Sequence, residues 1–384
     1  MELKHVVEEL SRINNEPEWL LSKRLRYLEG YNLKEFNKYF KHGLNIILTL
    51  KDFKFNESLI KNKSNIIIKS GNVIVKKIND SVKDLIFSSN INNDRFNLMH
   101  KAFCFNCNLI LIPDNTETCV EINGDANFLH LVIVVGENSK AVIKENFKVK
   151  ELMSYGVEVL CKENSKVEYL TKTIVNGYYF GNYKAEVGLN AEIKWLNSLS
   201  NGAFSRSVVE TNLNDTNARV KTAILCSLDK RSQVEFYTIS KHNEKNTYSD
   251  TLAKGVVKDD SKLLIRGLTR IEKNANYSDG YEKADILIFD NAEADAIPNL
   301  EIENSEVKCS HGATIGQIEK EKLFYLQSRG LNENEAKDLI VEGFFSSLFK
   351  FYAEDEQKIR TTSEFLSTPA TTKTVDSKME VIEC

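Results

Sequence analysis

One unit of polarity recurs along the middle of the chain: a polar turn, a small residue, then alternating apolar and polar positions. It reads Glu137-Asn-Ser-Lys-Ala-Val-Ile143, Glu163-Asn-Ser-Lys-Val-Glu-Tyr169, Leu189-Asn-Ala-Glu-Ile-Lys-Trp195 and Thr216-Asn-Ala-Arg-Val-Lys-Thr222. It continues as Lys230-Arg-Ser-Gln-Val-Glu-Phe236, Asp259-Asp-Ser-Lys-Leu-Leu-Ile265 and Asp290-Asn-Ala-Glu-Ala-Asp-Ala296. Alternation at period two after a turn predicts a strand with one buried face. The starts lie 26, 26, 27, 14, 29 and 31 residues apart, so the pattern predicts one coil per repeat, with one half-step, each coil covering its neighbour's apolar face. The alternative, a sandwich of hairpins, needs two-residue turns, and Asp279-Gly280 and Asn123-Gly124-Asp125 are nearly the only candidates. The expected architecture is therefore mainly β, a parallel β-helix (β-solenoid) over residues 95–317.

Both flanks switch to helical spacing, which suits the capping that a solenoid's ends require. In the 1–94 segment, helical and mixed in pattern, Leu10, Ile13, Leu20, Leu21, Leu25 and Leu28 share a face, and Pro17 marks where a second helix begins. In the 318–353 segment a helix over about Lys320–Ser328 should stop at Arg329-Gly330. Asn332 with Glu335 then reads as the N-cap of a helix whose apolar stripe is Ala336, Leu339, Ile340 and Phe344. Residues 354–384 turn polar and read as a mobile tail carrying Cys384.

Composition narrows the class. At 384 residues and 42% hydrophobic, the chain can bury a large core. A net charge of −4 without a basic block gives no electrostatic footprint for nucleic acid and no polybasic membrane anchor. The start has no apolar leader and no run approaches a membrane span, so the expected location is cytoplasmic. Seven scattered cysteines, an odd number, argue against a disulfide framework.

Candidate chemistry concentrates in Val307–Thr314, where Cys309 and His311 sit two residues apart on a strand and so share a face. Thiolate and imidazole together suggest a soft metal site, although a Cys-x-His alone does not close a tetrahedral one and a buried cysteine is also a small hydrophobe. Cys104-Phe-Asn-Cys107 has the gap of a zinc or redox pair, but no second pair follows and its setting is apolar, which favours packing. Cys161 and Cys226 read as packed strand residues. His5, His42, His100, His130 and His242 have no thiol or carboxylate partner at ligand spacing.

Around Cys309 and His311, Pro298-Asn-Leu-Glu-Ile302, Gly316-Gln317, Leu323-Phe-Tyr-Leu326, Ser328-Arg-Gly330 and Gly343-Phe344 occur in the order of one family. Asn15-Glu-Pro-Glu-Trp-Leu20 with Arg24-Leu25 matches its amino-terminal signature. The chain resembles the SufB/SufD family of iron–sulfur cluster assembly proteins. The resemblance implies a right-handed parallel β-helix and a non-catalytic assembly subunit that pairs with SufB, or with a second copy of itself, through the carboxy-terminal end of the helix. It implies a transient iron–sulfur cluster shared across that interface, with Cys309 and His311 as candidate ligands. It also implies docking of the ATPase SufC, with ATP used only there, and Leu323, Phe324, Leu339, Ile340 and Phe344 as the candidate docking residues. In a gapless match, the sulfur-accepting cysteine of SufB falls at Asn146 or Phe147, its interface cysteine at Lys283 and its glutamate at Gly312, so the resemblance is closer to SufD. The rival from another class is a β-helix carbohydrate enzyme, which needs an Asp/Glu or Arg array on one solenoid face that the sequence lacks; a metal-free interaction scaffold is the third reading.

Overall fold

The computed structural model describes residues 3–36, 39–40, 43, 46–50, 53–56, 58–61, 65–88, 94–353 and 356–366. Two nine-stranded sheets face each other across one apolar interior. The first sheet runs from Asn65–Ser70 through Glu117–Asp125 and Lys140–Val149 to Asp279–Ile288 and Lys308–Gln317. The second runs from Ile74–Lys77 through Cys107–Ile112 and Phe128–Val135 to Lys262–Ile271 and Glu293–Ile302. Consecutive strands alternate between the sheets, and every pairing from Cys107 onward is parallel and in register, which is the solenoid that the repeat predicts. Asp279-Gly280 and Asn123-Gly124-Asp125 make no hairpins; both lie within strands.

The repeat is set by a left-handed residue in the turn. Asn138, Asn164, Asn190 and Asn217 have φ of 55°, 57°, 53° and 61°, each two residues before a strand of the first sheet. Asparagine tolerates this region better than other side-chain-bearing residues. Its amide also joins one coil to the next: Asn164 donates to Asn138 at 3.0 Å, Asn190 to Asn164 at 3.2 Å and Asn217 to Asn190 at 2.9 Å. Lys230, Asp259 and Asp290, also at positive φ, precede strands of the second sheet. The half-step of 14 residues is thus where the series leaves one corner of the coil for the other.

Helices cover both outer faces. Leu3–Ile13, Glu18–Leu33 and Arg95–Phe103 pack Leu20, Leu28, Met99 and Phe103 on the second sheet, against Val132 and Phe180. On the first sheet, Glu333–Tyr352 buries Phe345, Leu348 and Tyr352 against Leu170, Leu196 and Ala223. Its Asn332–Glu335 capping box forms, and Gly330 at φ 99° ends the helix Lys320–Ser328. The tail expectation does not hold over its first part: Glu356–Leu366 is a helix with Leu366 buried in the same cluster, because Phe365 and Leu366 supply an apolar end to an otherwise polar segment. Residues 367–384, with Cys384, lie outside the described residues.

The interior is not uniformly apolar. Glu145 points into it with no exposure and accepts hydrogen bonds from the hydroxyls of Tyr155 and Tyr169, while its second oxygen has no partner. Burial pushes its carboxyl up to about 8, and the two tyrosines only partly offset this.

Two predictions follow from these packing arrangements. Replacing Asn164 with alanine should cost about 2 kcal/mol, from left-handed strain and two ladder bonds, and with glycine about 1 kcal/mol, since glycine removes only the strain; urea midpoints distinguish the two. Glu145 binds its proton more tightly folded than unfolded, so its contribution is complete below pH 4.5 and declines as pH rises toward 8. Glu145→Gln should flatten the fall in melting temperature between pH 5 and 8 relative to wild type.

Candidate functional site

The in-register stacking places side chains in columns along the solenoid interior, and two columns of the first sheet run out at its carboxy-terminal end. One passes through Val167, Ile193, Val220, Ser249 and Gly280 to Cys309; the next passes through Tyr169, Trp195, Thr222, Thr251 and Glu282 to His311. Along each column the residues become smaller or polar toward the end. Cys309 and His311 therefore do share a face, the inner one, about 6.6 Å apart at their Cα atoms from strand rise alone. Since, among the described residues, no further strand stacks on Lys308–Gln317, that inner face opens to solvent: Cys309 is half-buried and His311 exposed. His311 lines an open groove with Arg266, Pro298, Asn299, Leu300 and Glu301.

Beneath them lies a residue that periodicity alone could not single out. Glu282, 6% exposed, stacks directly under His311 and turns across the interior toward Gly267. A side chain at Gly267 would collide with its carboxyl, and one at Gly280 would crowd Thr269, Cys309 and His242. The two glycines thus leave room for a small polar chamber behind Cys309 and His311. Burial pushes Glu282 up to about 8; burial first, and then the Glu282 charge, push the Cys309 thiol up to about 11. His242 closes the chamber, with its ring nitrogens bonded to Thr247 and Ser249, both at 2.8 Å, and burial lowers it to about 4. A sequence signal for Glu282 existed only in hindsight of register: it is a carboxylate at an inward position, two residues after an inward glycine.

Among the docking candidates the structure makes a division. The helix Lys320–Ser328 buries none of its residues, leaving Phe324 72% and Tyr325 56% exposed, and Leu339 on the adjoining helix is 47% exposed. Leu323 and Ile340 are half-buried. Phe344 instead leans on the solenoid, with the Lys254 ammonium 4.1 Å from its ring centre.

Elsewhere, Phe147 is buried inside the coil, Asn146 faces outward by alternation, and Lys283 is outside, paired with Asp285 at 3.1 Å. Cys161 and Cys226 are interior, and burial holds their thiols up to about 12. His5 is exposed, and His42 lies outside the described residues. His100 and His130 have partners that linear spacing hides, one coil away. The Ser154 hydroxyl reaches His100 Nδ1 at 3.0 Å, His100 Nε2 reaches His130 Nδ1 at 3.0 Å, and His130 Nε2 reaches the Glu158 carboxylate at 2.7 Å. The same carboxylate accepts the backbone N–H groups of Phe87 and Ser88, so this buried chain ties the amino-terminal segment to the second sheet.

Comparison with known proteins yields a family model described as SUF system FeS cluster assembly, SufBD core domain, which matches residues 118–344, more than half of the chain. The chain is 35% identical to the iron–sulfur cluster assembly protein SufD of Escherichia coli (strain K12) over 151 residues, 39% of this chain and 36% of that one. With SufD of Bacillus subtilis (strain 168) it shares 27% over 279 residues, 67% of this chain and 62% of the relative. With SufB of the same organism it shares 23%, over 90% of this chain and 89% of the relative. The match thus spans about a third of one SufD and under two thirds of the other.

The chamber geometry generates a direct test. At pH 9 Glu282 is mostly ionised, and its charge suppresses the Cys309 thiolate. Glu282→Gln should therefore raise the rate of Cys309 alkylation by iodoacetamide about threefold, equivalent to about half a pH unit in the thiol. Peptide mass spectrometry reads the rate; no change would separate the carboxyl from the thiol.

Proposed function

Because the chain belongs to the SufB/SufD family of iron–sulfur cluster assembly proteins, we propose that it is the SufD-like subunit of a SufBCD scaffold, working in the cytoplasm. In this reading it pairs with SufB through the open end of its solenoid and contributes Cys309 and His311 to a cluster assembled between the two subunits. The observation that carries the reading is the asymmetry of the ends. At the amino-terminal end, Asn65–Ser70 and Ile74–Lys77 pair antiparallel with the first coil of each sheet and stop the stack. At the other end, among the described residues, nothing pairs beyond Glu293–Ile302 or Lys308–Gln317.

Coordination chemistry supports the same division of labour. Iron–sulfur clusters are held mainly by thiolates, and imidazole is a minority ligand. Among the described residues, no three His, Cys, Asp or Glu side chains are grouped closely enough to hold a metal ion. This chain supplies two ligands at a bare edge, so a partner has to complete the set. An incomplete set also suits a product that must leave.

SufC is the proposed partner for the exposed helix. A nine-residue helix that buries none of its own residues gains little from the rest of this chain, whereas Phe324, Tyr325 and Leu339 offer aromatic and aliphatic anchors for a groove. The sequence has no Gly-x-x-x-x-Gly-Lys-Ser/Thr loop, so ATP hydrolysis is assigned to SufC, whose movement would pull on this helix and part the solenoid ends. A homodimer is the second form of the reading, since two copies would bring together two such bare ends, each with its own Cys309 and His311.

Anaerobic co-purification with SufC and a SufB candidate, with iron and sulfide analysis, tests the proposal. Wild type should carry a cluster, and the Cys309→Ala, His311→Ala double variant should assemble equally but lose most of its iron. Equal iron in both complexes would make the pair structural. Phe324→Asp should abolish SufC capture and leave the melting temperature unchanged, since the side chain is 72% exposed; retained capture would move the docking surface elsewhere.

A further inference from the structure

At the opposite end of the solenoid, the Cys104-Phe-Asn-Cys107 pair has surroundings that packing alone does not require. Cys104 caps the helix Arg95–Phe103 and Cys107 opens the strand Cys107–Ile112. The Cys104 thiol points at the Asn106 carbonyl at 3.7 Å, and the Cys107 thiol folds back on the Cys104 carbonyl at 3.1 Å. Within 3.6 Å of that sulfur lies Nη2 of Arg24, a guanidinium with no exposure at all. Glu16 fixes its fork at 2.8 and 2.7 Å, and the Lys101 carbonyl accepts from Nη1 at 3.1 Å.

This arrangement differentiates the two thiols. Burial pushes both up, as it does Cys161 and Cys226. At Cys107, however, the neighbouring Cys104 thiol and the charge of Arg24 outweigh burial and bring the thiol down, whereas Cys104 is held well above its ordinary value by burial and by the Cys107 thiol beside it. Access differs in the same sense. A small open cleft lined by Glu16, Pro17, Leu20, Lys77 and Phe105 reaches Cys107 and not Cys104.

We propose that Cys104 and Cys107 are a reversible dithiol–disulfide site that reacts with low-molecular-weight disulfides, with Cys107 as the attacking sulfur and Cys104 as the resolving one. The Cys107 thiolate attacks one sulfur of R–S–S–R, forming a mixed disulfide and expelling R–S⁻. Cys104 then gives its proton to solvent and attacks the Cys107 sulfur, closing the intramolecular bond and expelling the second R–S⁻. The protein loses two hydrogens as two protons and two electrons, and the small disulfide is reduced to two R–SH. Since Arg24, from the helix Glu18–Leu33, bridges Glu16, Lys101 and Cys107, oxidation removes one partner from the joint between the amino-terminal helices and the solenoid. This site is independent of Cys309 and His311.

The test uses the full chain, reduced and then equilibrated with glutathione and oxidised glutathione at pH 7, trapped by acid and alkylation, and read by peptide mass spectrometry. The expected result is a loss of two hydrogens on the peptide holding Cys104 and Cys107, reversed by dithiothreitol. Cys104→Ser should trap a glutathione adduct on Cys107, and Cys107→Ser should leave Cys104 unmodified. In wild type, Cys107 should react at least ~10-fold faster than Cys161 or Cys226, which serve as buried controls within the same molecule. If Cys104 and Cys107 react no faster than those controls while the fold is intact by circular dichroism, the proposal is overturned. It is equally overturned if the adduct in Cys107→Ser forms on Cys104.

Discussion

Every structural consequence in this chain depends on how the backbone of a parallel solenoid ends. Inside the stack each strand finds its N–H and C=O partners on the coils before and after it, and each inward side chain is covered by its column neighbours. At a terminal coil both kinds of satisfaction stop together. The amino-terminal end resolves this with two antiparallel strands and a layer of helices. The carboxy-terminal end leaves Leu300, Ile302, Ala313 and Ile315 on inward positions with no further strand stacked on them among the described residues, and the chain departs at once into helices that fold back over the first sheet. An edge of this kind is an aggregation hazard in a monomer, and it is tolerable where another chain completes the sheet.

The same incompleteness leaves two ordinary interior columns open at Cys309 and His311. Further back, those columns hold Ile193 and Trp195, which fill the coil. Toward the end they narrow to Ser249, Gly280 and Thr251, and the opposite sheet contributes Gly267 and Thr269, so space opens around Glu282 and Cys309. A thiol held up by burial is a poor ligand until its setting changes, because metal binding requires the thiolate. On the proposed function, contact with a partner would supply that change and so link ligand activation to assembly.

Much of the fold was legible because the solenoid writes itself as a period. Asn138, Asn164, Asn190 and Asn217 announce one corner of the coil, since left-handed geometry and the amide ladder both select asparagine. The corners at Asn246 and Tyr277 escaped the repeat, because Lys245-Asn-Thr-Tyr and Asn276-Tyr-Ser-Asp keep the geometry without the spelling. Cys309 and His311 were legible as a pair from alternation alone. Glu282, Gly267 and the His100–His130–Glu158 chain were not, since each contact spans a coil or crosses between sheets and depends on register. The Glu356–Leu366 helix was missed for a related reason: its support comes from a sheet face about 200 residues away in sequence, and its local composition is that of a tail.

On the proposed function, strands 293–302 and 308–317 form half of an interface that carries Cys309 and His311. Hydrogen–deuterium exchange on these strands, measured for the isolated chain and for the chain assembled with its partners, tests this most directly. Such an interface requires rapid exchange at the outward-facing amides of 308–317 in the isolated chain and strong protection on assembly, with strands 140–149 and 166–175 unchanged. Equal protection of 308–317 in both states, or protection that appears only on the helices 320–328 and 333–352, would contradict it.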